Sequence, residues 1–141
     1  MDTMLHRPPL LLSTGDRRRI EAFAVNALAG QPRLAGPLLC EVERASVIAE
    51  RFMPPNVAGL GSWVRYQDVG TRETREVRLV AKRPAETEAG EVSLLEPIGA
   101  ALVGLAVGQS ILWQDGLGRQ QLVDVLGVTR AEDSHAKPAA A

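Results

Sequence analysis

Histidine, cysteine and aromatic residues are all scarce in this chain, and each shortage removes a class of chemistry. The two histidines stand near the ends: His6 just before a Pro-Pro pair, His135 within an Ala/Pro-rich ending. Such tails order poorly unless tied down, so an imidazole held in catalytic geometry is not expected. One cysteine, Cys40, rules out an internal disulfide and any multi-cysteine zinc or iron–sulfur site. No apolar run comes near the roughly 20 residues that span a bilayer, and Leu10-Leu11-Leu12 is too short for a secretion signal. Excess charge is missing as well: 16 Lys+Arg against 17 Asp+Glu leave a net charge of -1. Neither phosphate neutralisation nor a polybasic membrane contact can then drive binding. The expectation is a cytoplasmic, non-enzymatic protein with no metal, no cofactor and no membrane contact.

What the chain does have is enough apolar content, 45% of 141 residues, for one compact domain with a real core or a small domain with a helical appendage. From Ser13 to about Met53 the apolar period is helical. Ser13-Thr14-Gly15-Asp16 has the spacing of a helix start, with an acid near the positive end of the dipole. Ile20, Phe23, Ala24, Ala27 and Leu28 follow as one stripe. Gly30-Gln31-Pro32 ends it. Leu38, Leu39, Val42, Ala45, Ser46 and Ala49 form a second stripe, which predicts a helix over 37–51 with Pro37 in its first turn. Two helices joined so briefly predict an antiparallel helical hairpin, a short coiled coil over 13–53. Residues 1–12 are expected to be a flexible N-terminus, 131–141 a disordered tail, and 53–56 a Pro-rich linker.

Beyond the linker the period becomes two. Strands are predicted over 63–67, 73–80, 91–95, 110–114 and 120–128, with a polar loop over 82–90 and a hairpin turn at Asp115-Gly116-Leu117-Gly118. Pro97 at a first helical position and Gly104 at the end bracket a short helix whose buried side is Ile98, Ala101, Leu102 and Leu105. The fold class is therefore α+β: a two-helix hairpin, then an antiparallel sheet wrapped on one short helix over 57–130.

Few side-chain clusters rise above ordinary readings. Arg17-Arg18-Arg19 point in different directions on a helix and read as a solvated face. Glu86, Glu88 and Glu91 lack the pattern of a calcium loop. Cys40, beside Leu39 and Glu41, reads as a structural thiol. Gly104 and Gly108 read as turn glycines, and Trp63, Tyr66 and Trp113 as core filling.

Residues 93–109 are more specific. Ser93-Leu94-Leu95-Glu96-Pro97-Ile98-Gly99-Ala100-Ala101-Leu102-Val103-Gly104-Leu105-Ala106-Val107-Gly108-Gln109 resembles the signature of the C-terminal domain of the bacterial GreA/GreB transcript-cleavage factors. Residues 57–64 resemble that family's entry strand, and the hairpin occupies the place of its coiled coil. Within the family, 96–108 and 38–45 are similar to a short-armed branch, the regulators of nucleoside diphosphate kinase. The resemblance implies an FK506-binding-protein-like domain that docks on the RNA polymerase β′ subunit at the rim of the secondary channel. It assigns docking to Ser93, Leu95, Glu96, Pro97 and Ile98, and any association with DNA would be indirect, through the polymerase.

The family's cleavage activity needs acids at the hairpin tip, which help to hold a Mg²⁺ ion. The tip here, residues 29–36 with Gln31, Pro32 and Arg33 at its centre, has none. Glu96 replaces the family's Ser before the proline, and Gln109 replaces its terminal acid. The resemblance thus predicts a monomeric, non-catalytic regulator that binds polymerase and competes with GreA/GreB. The alternatives are an indirect influence on nucleoside diphosphate kinase, and a peptidyl-prolyl isomerase suggested by the implied fold.

Overall fold

A computed structural model describes residues 8–114 and 117–130. The expected tail 131–141, both histidines, and the Asp115-Gly116 half of the hairpin turn lie outside the described residues. The chain runs β1 (Leu11–Ser13), α1 (Thr14–Leu28), α2 (Pro32–Arg44), β2 (Ser46–Ile48), β3 (Trp63–Asp68), β4 (Thr74–Val80), β5 (Glu91–Ser93), α3 (Pro97–Leu102), β6 (Ser110–Gln114) and β7 (Gln120–Thr129).

Ser13 starts α1 as its spacing predicts: the hydroxyl accepts a hydrogen bond from the Asp16 amide at 3.0 Å. Ile20 and Ala24 of the predicted stripe are buried, Phe23 and Ala27 pack against the core, and Leu28 at the helix end is exposed. The second helix differs from expectation. It occupies Pro32–Arg44 rather than 37–51, with Pro32 at its start and Pro37 inside it. Pro32 suits a first helical position because its missing N–H would be unpaired there. Pro37 instead leaves the Arg33 carbonyl without its helical donor. The helix stops early because Val47 and Ile48, β-branched, enter a strand.

That strand corrects two further expectations. Residues 46–48 pair parallel with 11–13, in the register Leu11↔Ser46, Leu12↔Val47 and Ser13↔Ile48. The N-terminal segment is therefore not free up to residue 12: Leu10 and Leu12 are buried, and the Leu11 amide donates to the Gly104 carbonyl at 3.0 Å. The physical reason is that Leu10, Leu11 and Leu12 carry enough apolar surface to offset the cost of ordering the segment.

The main sheet has the order β5-β4-β3-β7-β6. Three of its pairings are antiparallel, but β4 and β5 run parallel (Arg78↔Glu91, Leu79↔Val92, Val80↔Ser93), so the sheet is mixed and not wholly antiparallel. The reason is the connection over 81–90, long enough to cross over instead of turning back. A bulge in the β3–β7 pairing between Arg65 and Tyr66 curls the sheet. One core cluster unites the layers: Ala35, Leu38 and Val42 of α2, Leu102 of α3, and Val64, Leu79 and Val123 of the sheet all belong to it.

Candidate partner-docking site

The turn between β5 and α3 is held by its own backbone. Ser93, fully buried, directs its hydroxyl at the Lys82 carbonyl and accepts the Leu95 amide at 3.0 Å. The Glu96 carboxylate reaches back to accept the Ser93 amide at 3.1 Å, and the Glu96 amide donates to the Ser93 carbonyl at 3.0 Å. Pro97 then opens α3, and the Ala100 amide closes the first helical bond on the Glu96 carbonyl. Gly99 is required here, since a Cβ on it would stand 2.1 Å from the Ser93 carbonyl oxygen. Only glycine lets α3 lie this close to the turn.

The five residues assigned to docking therefore divide. Ser93 and Leu95 are buried, Glu96 and Ile98 are half-buried, and Pro97 is exposed. Ser93 and one carboxylate oxygen of Glu96 are engaged in shaping the turn, and Pro97 is the most outward of the five. The loop before the turn is tied by Lys82 and Glu91, whose ammonium and carboxylate stand 2.9 Å apart. The Glu91 carboxyl is held below its usual range by the Glu88 amide and then by Lys82, and Glu91 in turn raises the Lys82 ammonium.

Beside Pro97 opens a cleft of about 430 Å³ between α2, α3 and β6. Leu95, Ala100, Ala101 and Ile111 form its apolar floor, Trp113 one wall, and Arg33, Leu34, Pro37 and Glu41 of α2 the other. Arg33 of the predicted tip thus lines the same cleft as Leu95 and Pro97 of the predicted docking turn. Gln31 lies elsewhere, in a second cleft of about 720 Å³ with Phe23 and Arg83, and Pro32 lines neither. The residues missed in the sequence were Leu34, Pro37 and Glu41 of α2 and Ile111, Leu112 and Gln114 of β6, since strand order and helix orientation have no local signature; Trp113, read as core filling, packs against the core and also lines this cleft.

The other clusters behave as follows. Among the described residues, no group of three or more His, Cys, Asp or Glu could hold a metal. Glu86 pairs with Arg83 at 2.6 Å, and Gly104 and Gly108 take positive φ as turn glycines do. Trp63 and Tyr66 are buried, and Cys40 is exposed rather than packed in the core. No described helix is long and apolar enough to cross a membrane. Near the start of α1 the Asp16 carboxylate accepts the Leu60 amide at 3.0 Å, and burial raises its pKa although that amide and Arg19 oppose the rise.

Comparison with known proteins finds the same relatives along this length. The family described as "Transcription elongation factor, GreA/GreB, C-term" matches residues 53–130. The "Regulator of nucleoside diphosphate kinase" of Escherichia coli (strain K12) is 32% identical over 111 residues, 78% of this chain and 81% of that protein. "Transcription elongation factor GreA" of Thermodesulfovibrio yellowstonii is 34% identical over 74 residues, 52% of this chain and 47% of that one. Among solved structures, "Prokaryotic transcription elongation factor GreA/GreB from Nitrosomonas europaea" superposes with a TM-score of 0.65 at 29% identity, covering 87% of this chain and 99% of its own.

Proposed function

Since the chain belongs to the GreA/GreB transcription elongation factor family, we propose that it is a non-catalytic regulator of transcription that binds RNA polymerase through the β5–α3 turn. The partner surface is the β′ subunit at the rim of the secondary channel, and the chain competes there with GreA and GreB. The protein works as a cytoplasmic monomer, touches DNA only through the polymerase, and carries its docking turn on an FK506-binding-protein-like domain. The observation that carries this reading is Pro97, exposed on a turn that Ser93, Glu96 and Gly99 lock in place. Rigid presentation of a small apolar group lowers the entropic cost of binding.

The loss of transcript cleavage rests on composition and length. Residues 29–36 contain no carboxylate to hold a metal ion. The arm is short too: the 15 residues of α1 span about 22 Å. Part of the second arm is committed elsewhere, because Ala35, Leu38 and Val42 are buried in the core shared with the sheet. The hairpin is in this reading a short antiparallel buttress with no working end.

The test is a pull-down with purified polymerase, alone and with GreB as competitor, alongside cleavage of backtracked complexes. Binding that GreB displaces, with no shortening of nascent RNA, is the expected result. Failure to bind, binding indifferent to GreB, or RNA cleavage each overturns the reading. A second reading is favoured by the name of the Escherichia coli relative: an indirect effect on nucleoside diphosphate kinase. Direct nucleotide binding is not expected in that case, and calorimetric titration with nucleoside diphosphates should give no heat. The isomerase alternative loses ground, because Trp113 is the one aromatic side chain among the described residues lining the cleft.

A further inference from the structure

The cleft beside Pro97 joins two parts of the chain that a hairpin-and-dock arrangement keeps apart. Arg33 and Leu34 come from the first turn of α2, Leu95 and Pro97 from the turn into α3, and Trp113 from the edge strand β6. Resting on the polymerase-docking reading above, we propose that the docking surface is composite: the first turn of α2 and the α3 turn grip the same polymerase segment, and Arg33 selects one that carries an acidic side chain next to an apolar one.

Charge is the first support. Two ionisable side chains line the cleft, Arg33 and Glu41. Glu41 is already answered by the Arg44 guanidinium at 2.8 Å. Arg33 is exposed and has no salt bridge among the described residues, which leaves one uncompensated positive charge at the rim. A guanidinium offers paired donors that match a carboxylate.

Shape is the second. The apolar floor within about 430 Å³ has room for one or two aliphatic side chains, so the carboxylate that meets Arg33 must be flanked by such a residue. Trp113 is the third. It lines the cleft from the edge strand β6 and is half-buried, so its ring offers the occupant a partly exposed apolar wall.

The placement of Arg33 is built into the fold. Ala35 and Leu38, two and five residues further along α2, are fully buried, so the backbone that carries Arg33 is fixed at the rim of the cleft instead of swinging on a free arm. A rim charge of this kind acts on association rate and salt dependence as well as on affinity.

The experiment measures binding of the intact chain to purified polymerase at low and raised salt, for wild type, Arg33→Glu, Arg33→Lys, Trp113→Phe and Pro97→Ala. Circular dichroism checks that each variant is folded. Expected are a loss of at least about tenfold for Arg33→Glu with a flatter salt dependence, a smaller loss of a few fold for Arg33→Lys, which keeps the charge but not the paired donors, and a loss of a few fold for Trp113→Phe. If wild type binds and Pro97→Ala weakens it, but Arg33→Glu binds as well as wild type or better, the composite surface is wrong and simple docking stands. If wild type itself does not bind, the docking reading falls and this inference falls with it.

Discussion

The two ends of the α1–α2 pair are built to different standards. At the base, Ser13 caps α1, Asp16 receives the Leu60 amide, β1 and β2 form a parallel pair, and Arg44 donates to the Pro8 carbonyl at 2.7 Å. At the tip, Gln31 gives α2 no side-chain cap, Pro37 interrupts its hydrogen-bond ladder, and tip residues line clefts of about 430 and 720 Å³. Polar contacts, caps and strand pairing thus hold the base, whereas apolar packing from Ala35 onward holds the tip. The difference teaches where change is tolerated: tip residues can be exchanged to suit a partner, while base residues keep α1 and α2 seated on the sheet.

The largest effect that could break this comparison is at Leu38, which is fully buried among residues of all three layers. Leu38→Ala should cost about 2–5 kcal/mol by denaturant unfolding, because it removes contacts and leaves a cavity. A cost under about 1 kcal/mol would mean that α2 is not part of the shared core, and that the tip swings free.

Next comes Asp16, where the base is joined to the loop before β3. Asp16→Ala should cost about 1–3 kcal/mol, since the Leu60 amide loses its acceptor. Its pH dependence has a definite sign. Burial raises the folded-state pKa above the usual 3.8, so the folded protein takes up this proton before the unfolded chain does. The Asp16 contribution to stability therefore grows as pH falls through the raised value, levels off below the ordinary one, and is smallest at neutral pH. Asp16→Asn keeps an acceptor for Leu60 and should lose that pH dependence, read as the difference in unfolding midpoint between pH 7 and pH 4.

How much of this was legible follows from what kind of information each feature needs. Ser13 and the stripe from Ile20 to Ala27 announce α1 locally, through capping chemistry and period. The strands over 63–68 and 120–129 are likewise readable from alternation, and Pro97 marks the start of α3. The limits of α2 were not, because Pro37 suits a first turn by local preference and only tertiary burial of Ala35 and Leu38 carries the helix through it. The β1–β2 pair was hidden for the same reason: three residues near the end become a strand when Gly104 and Ser46 supply partners. At the site, Ser93 and Pro97 were legible through the family signature. The cleft was not, since Arg33 and Trp113 are 80 positions apart and meet only through the seating of α2 on the sheet.

A smaller effect, of opposite sign, sharpens the contrast between the ends. Pro37 is exposed and denies the Arg33 carbonyl a helical donor. Pro37→Ala should stabilise the protein by about 1 kcal/mol: the restored hydrogen bond and better helix propensity outweigh the added freedom of the unfolded chain. Ser13→Ala, the matching change at the base, should destabilise by about 1 kcal/mol through loss of the cap. Both are read from thermal midpoints, and two shifts of the same sign would erase the distinction.

The smallest stability effect belongs to Arg33, and its smallness is what makes it informative. The side chain is exposed at the rim, so Arg33→Glu should move the unfolding free energy by no more than about 0.5 kcal/mol. A slight gain is physically reasonable, because an acid in the first turn of α2 favours the positive end of the helix dipole. If the same substitution weakens polymerase binding, the loss cannot be charged to unfolding, and the tip serves recognition without serving the fold. A large loss of stability from Arg33→Glu would reverse that conclusion: the guanidinium would then be bracing α2 against α3, and the tip would be as structural as the base.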